Sequence, residues 1–177
     1  MPRYVALLRG INLGSRNRVS MPELRELLTA AGYGDVATLL QSGNVVLTSR
    51  VGARRLERDL QARIADALGV DTPVIVRTRD ELAAVVERDP LGDVADDPKR
   101  LQVTFLAEEP SEEVARELAA ADVAPERLEL IGRELYTWHP GGIQRSKAER
   151  LRTSKRVPTG TARNWSTVTK LLELADE

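Results

Sequence analysis

The chain of 177 residues contains no cysteine and one histidine. Without thiols there is no disulfide framework, zinc ribbon, iron–sulfur cluster or cysteine nucleophile, and a lone His among scattered acids shows no metal-ligand spacing. No metal and no cofactor are therefore expected. Aromatic residues make up only 3% of the sequence, which leaves few rings on which unpaired bases could stack. No window approaches the roughly 18 apolar residues of a membrane span. Met1 to Arg9 also lacks the cationic start, apolar stretch and small-residue cleavage site of a secretion signal. These absences predict a cytoplasmic protein with no membrane partner. Neither GxGxxG nor GxxxxGK[ST] occurs, so the dinucleotide fingerprint and the P-loop are missing too.

What remains is an ordinary globular composition, 42% hydrophobic and 30% charged, with a net charge of −1. The charge is unevenly spread. From Asp80 to Glu129 there are 15 acidic against 5 basic residues, whereas Gly142 to Lys170 holds 8 basic residues and only Glu149. The first 25 residues carry five Arg against Glu23. Clustered positive charge raises the local concentration of anions.

"RYVALLRG" reads as a first strand, and its lack of strict alternation predicts burial on both faces, by the other half of the chain or by a second subunit. Ser20-Met21-Pro22-Glu23 is a capping box opening a helix with Leu24, Leu27, Leu28 and Ala31 on one face, closed by Gly32. "VATLLQ" and "VVLTS", separated by Ser42-Gly43-Asn44, read as a hairpin. A second helix carries Leu56, Leu60, Ile64 and Leu68 and stops at Gly69. "PVIVRT" is a fourth strand, followed by a helix from Asp80 to Arg88.

A similar order restarts with "RLQVTFLA", a helix opened by Ser111, and the strand pair "RLELI" and "ELYTWH". No fourth strand is evident after it, and His139, before Pro140 and a Gly pair, reads as a surface residue. The predicted class is α+β: two tandem ferredoxin-like (split βαβ) units, the second incomplete, followed by a C-terminal helical segment. The expected division is 1–88, a connector at 89–99, and 100–177.

In such a unit the first and second strands run parallel, so the loop after strand one and the hairpin after strand two share one end of the sheet. Arg9, Gly10 and Asn12 then lie near Ser42, Gly43 and Asn44, where backbone amides and guanidinium groups suit an anion. A last helix is placed from about Trp165 to Leu174, with Thr161 or Asn164 as its cap. Arg163 is expected beside its free amides, with Lys170 on the same side of the helix, a second setting for phosphate or carboxylate.

"RGINLG", "QSGNVV", "RSK" and "TARNWSTVTKLLEL" together resemble the bacterial domain-of-unknown-function family 1697, over nearly the whole chain. The resemblance implies a tandem ferredoxin-like protein without an established activity. The family's motif positions fall on Arg9, Gly10, Asn12, Ser42, Gly43, Asn44, Ser146, Lys147, Thr161, Arg163, Asn164 and Trp165. Where the family's loop continues with a second Gly and Lys-Asn-Lys, this chain has Ser15, Arg16, Asn17 and Arg18, which keeps the positive charge. Ala148 stands where the family often has Leu.

Three functions follow as expectations. The first is a module binding a phosphate-bearing ligand, a small anion or nucleic acid, through Arg9, Lys147, Arg163 and Lys170 with Asn12, Asn44 and Asn164. The second is a small-molecule enzyme using the same pocket, although adjacent Ser146 and Lys147 lack a Ser/Lys catalytic spacing. The third is a structural or homo-oligomeric partner-binding protein, in which the acidic middle of one copy meets the basic tail of another.

Overall fold

Ser20 does what its place before an apolar period requires: its Oγ accepts from the Glu23 amide at 3.4 Å, opening α1, Met21–Ala30. Leu24 and Leu28, four apart, then share one buried face. The same logic runs through the computed structural model, which describes the whole chain, Met1–Glu177. Strands β1 (Arg3–Leu8), β2 (Gly34–Leu39), β3 (Asn44–Thr48) and β4 (Val74–Thr78) alternate with α1, α2 (Ala53–Leu68) and α3 (Arg79–Arg88). Then come β5 (Leu101–Leu106), α4 (Glu112–Ala120), β6 (Arg127–Ile131), β7 (Glu134–Trp138), α5 (Lys147–Arg152), β8 (Gly160–Asn164) and α6 (Trp165–Asp176). Two compact units result: Met1–Ala84 with Lys170–Glu177, and Val85–Thr169. No helix is long and apolar enough to cross a membrane.

In the first unit the antiparallel sheet has the order β2-β3-β1-β4. Tyr4, Ala6 and Leu8 of β1 pack into one core with Leu24, Leu28, Leu56, Leu60 and Ile64 from α1 and α2. Val5 and Leu7, on the opposite face, are 1% exposed, as the unbroken apolar run predicts. The last turn of α6 is fixed within this unit by Arg3, which donates to the carbonyls of Leu174 and Ala175 at 3.2 and 3.1 Å. Arg79 bonds Asp176 at 2.6 Å. The Arg3 guanidinium thus meets the unsatisfied carbonyls of a helix end.

The second unit corrects the sequence reading. Its sheet is complete, with order β6-β7-β5-β8, because Gly160–Asn164 forms a fourth strand antiparallel to β5. Thr161 and Arg163 are therefore strand residues, and only Asn164 caps the last helix, its Oδ1 accepting from the Thr167 amide at 2.9 Å. A second adjustment concerns the first hairpin. The turn is Leu40–Gly43, with φ of +59° and +88° at its two ends, and Asn44 is already in β3, fully buried.

The units repeat in register. Val5 lies between Val46 and Arg77, and Val103 lies between Tyr136 and Arg163. Both fourth strands thus carry a buried arginine as their penultimate residue, and both end on the side chain that caps the next helix. Thr78 Oγ1 accepts from the Glu81 amide at 3.1 Å, as Asn164 does from Thr167.

Candidate functional site

The loop "RGINLGSRNR" is rich in Gly and Asn for a backbone reason. Its four left-handed positions are Gly10 (φ +65°), Asn12 (+55°), Gly14 (+69°) and Asn17 (+52°), the residue types that tolerate that region. Asn12 holds the loop shut. Its Nδ2 donates to the carbonyls of Val19 at 3.0 Å and Gln41 at 2.7 Å, while its Oδ1 accepts from the Val19 amide at 2.8 Å. The backbone of Arg9 is clamped by buried Thr72, whose hydroxyl donates to the Arg9 carbonyl at 2.6 Å.

The hairpin reaches the same end of the sheet, as expected. The Leu8 amide donates to the Gly43 carbonyl at 2.9 Å. Asn44 Nδ2 donates to the Leu39 carbonyl at 2.7 Å and to Ser42 Oγ at 2.9 Å, so Asn44 braces the turn from inside. Arg9, Gly10, Asn12, Ser42, Gly43 and Asn44 are accordingly one neighbourhood. What they present outward is mostly guanidinium. Arg9, Arg16 and Arg18 are exposed, none is paired to a carboxylate, and no acid occurs before Glu23.

Beside Arg18 an open cleft of about 330 Å³ is lined by Asn12, Arg18, Val19, Ser20, Met21, Pro22 and Gln41. The start of α1 faces it but offers an anion little. Pro22 has no N–H, the Glu23 amide is taken by Ser20, and Glu23 adds negative charge to the first turn. Attraction for an anion must come from the arginines.

In the second unit, Arg163 is 7% exposed rather than displayed at a helix start. Its partners include Thr161 Oγ1 at 2.6 Å and the Ala162 carbonyl at 2.9 Å. Burial pushes its pKa down to about 10, which leaves it charged at neutral pH. Lys170 lies exposed on α6.

Ser146 and Lys147 open α5 over a carboxylate. The Lys147 amide donates to Glu126 Oε1 at 2.6 Å, and Lys147 Nζ reaches the Ala124 carbonyl at 3.2 Å. Ser146 caps the helix by accepting from the Glu149 amide at 3.1 Å, and its Oγ is 2.7 Å from His139 Nδ1. His139 Nε2 lies 3.0 Å from Thr137 Oγ1. The ring is 0% exposed, which overturns its reading as a surface residue. Strand alternation supplied the missed signal, since Thr137 and His139, two apart, point to the same side. With both nitrogens satisfied by hydroxyls and Ser146 itself buried, this cluster is built as a structural joint, with no open approach to a serine nucleophile.

Burial pushes the His139 pKa below its ordinary value, against the opposing pull of Glu149 and Glu126; Arg152 adds to the depression. Burial works to raise the Glu149 carboxyl, but Arg152, bonded to both of its oxygens, brings the pKa below the usual range. A depressed histidine pKa means that the unfolded chain takes up the proton first. Its stabilising effect is full above about pH 6.5 and is lost as pH falls toward the folded-state value. Urea unfolding between pH 8 and 5 should thus show stability falling below about pH 6.5, by up to ~1.4 kcal/mol per pH unit. His139→Gln should flatten that part of the profile; an unchanged slope in the variant refutes the assignment.

Comparison with known proteins adds the family and the fold. The family model described as "Protein of unknown function (DUF1697)" matches residues 1–136. No curated protein matches the chain. A conserved bacterial protein from Streptococcus pneumoniae, SP0830, is similar in structure, with a TM-score of 0.81 over 98% of both chains at 24% sequence identity. At that identity the likeness bears on the fold alone. With the family model covering most of its length, the chain belongs to the protein family of unknown function DUF1697.

Proposed function

We propose that the protein binds a phosphate-bearing anion at the loop end of its first unit, through Arg9, Arg16 and Arg18. The observation that carries this is the pairing of three exposed guanidinium groups, none matched to a carboxylate, with a loop already fixed by Asn12. Guanidinium donors match phosphate oxygens in pairs, and a loop that need not be ordered on binding keeps the entropic cost low. The cleft beside Arg18 offers room for the body of the ligand. The unit itself we assign to the ferredoxin-like (split βαβ) class, on its βαββαβ order and the central place of β1 and β3.

Ser146, Thr161, Arg163 and Asn164 have a smaller part in this proposal, because each already serves a cap or a buried strand. Calorimetric titration with inorganic tripolyphosphate at low salt tests it. The Arg9→Ala, Arg16→Ala, Arg18→Ala triple variant should bind at least about tenfold more weakly, since charge-assisted bonds contribute ~1.5–3 kcal/mol each. Parent and variant titrating alike would end the proposal.

A further inference from the structure

An anion-binding role leaves one feature of this loop without a purpose. Only four large apolar side chains of the chain stand exposed: Met1, Leu13, Leu40 and Ile143. Two of them, Leu13 at 74% and Leu40 at 55%, immediately adjoin the residues joined by the Asn12–Gln41 hydrogen bond. Both therefore lie at the end of the unit that carries the three arginines. A small phosphate has no use for exposed leucine, but a larger polyanion with apolar surface between its charges does.

The loop also has a definite form. The Asn12 amide donates to the Asn17 carbonyl at 3.0 Å, and Leu13 bridges Arg16 in antiparallel pairing. Residues 12 to 17 are thus a miniature two-stranded ribbon turning at Gly14 and Ser15. Asn17 Nδ2 donates to the Gly10 carbonyl, which stiffens its base, and Arg18 Nη1 donates to the Gly14 carbonyl at 3.1 Å, which braces its turn. Leu13 and Arg16 stand at the projecting end and Arg9 at the root, while the Arg18 side chain reaches from the root to the turn.

A two-stranded ribbon is an element that the roughly 12 Å wide major groove of B-form DNA admits. We propose, resting on the anion-binding assignment above, that this ribbon docks into a groove of duplex DNA. Arg9 and Arg18 meet phosphates on the groove edges; Arg16 and Leu13 enter, the leucine against apolar base edges such as thymine methyls. Single strands fit poorly, because neither the loop nor the hairpin turn carries an aromatic ring. Duplex RNA fits poorly as well, its major groove being too deep and narrow for side chains to read. A lipid surface would demand a continuous apolar area, whereas Ser15, Asn17 and Gln41 interrupt this one.

The test is fluorescence anisotropy of the full chain with a labelled DNA duplex over a salt series. The matching RNA duplex, single-stranded DNA, tripolyphosphate competition and phosphatidylserine vesicles form the other arms. Expected are binding to duplex DNA over both other nucleic acids and displacement by tripolyphosphate. Arg9→Ala should flatten the log–log salt slope by about 1. Leu13→Ala should weaken duplex binding severalfold at an unchanged slope, with thermal unfolding confirming that this exposed substitution leaves the fold intact. Tripolyphosphate binding without duplex binding overturns the groove assignment and leaves the anion site standing; binding of neither removes both. Equal affinity for DNA and RNA duplexes, or Leu13-dependent binding to vesicles in place of DNA, likewise overturns it. The parent's duplex arm decides alone should a variant lose its fold.

Discussion

Gly43→Val is expected to destabilise the protein by roughly 2 to 5 kcal/mol, the joint cost of left-handed strain and overpacking. Gly43 sits at φ +88°, where a β-branched residue is strongly disfavoured. A Cβ there would also come within 2.8 Å of Leu8 Cβ and of Ile11 Cδ1. The first of these is held by β1, so the clash cannot be relieved by turning a side-chain tip. The Gly43 carbonyl meanwhile accepts from the Leu8 amide, so displacing the turn also frees a strand end. Gly132→Ala separates the two contributions: its φ is +60°, but nothing lies within 4 Å of the added carbon. It should cost only the strain, about 1 to 2 kcal/mol. Denaturant midpoints of the two variants check this, and a Gly43→Val protein as stable as Gly132→Ala would contradict the packing described here.

Asn12→Ala is the second large effect, and it links fold to function. The substitution removes three hydrogen bonds and leaves a left-handed residue without the local polar side chain that tolerates it. At about 0.5–1.5 kcal/mol per bond, with part of the site open to water, the expected loss is roughly 2 kcal/mol. Net charge is untouched. If the arginines act because the loop holds them in place, tripolyphosphate affinity should nevertheless fall severalfold. An Asn12→Ala protein that binds like the parent would show that charge alone suffices and that the ordered loop is incidental.

The parts of this fold legible in the sequence were those where one residue type has one physical job. Ser20 and Ser111 cap helices because their hydroxyls accept from the Glu23 and Val114 amides. Gly69 ends α2 at φ +69°, where a residue with a bulky or branched side chain would be strained. The meeting of the Arg9 loop with the Ser42 turn followed from strand direction alone. By contrast β8, "GTARN", has no apolar run, and its buried residues are Thr161 and Arg163, which sequence patterning assigns to the surface. Its clue lay in the first unit, where "VIVRT" puts Arg77 in the same register position and Thr78 in the same capping role. His139 misled for a related reason. Its burial depends on Ser146 and Thr137 hydroxyls, and the Ser146 partner is brought to it by a loop whose path the sequence does not announce.

The proposed anion site is the Arg9–Arg18 loop of the first unit. Backbone amide and arginine Nε resonances followed by NMR during tripolyphosphate addition locate the ligand directly. Shifts should concentrate at Arg9, Gly10, Gly14, Arg16 and Arg18, with the amides around Ser146 and Lys147 unmoved. Perturbation centred on the start of α5, or none at the loop, would contradict the assignment.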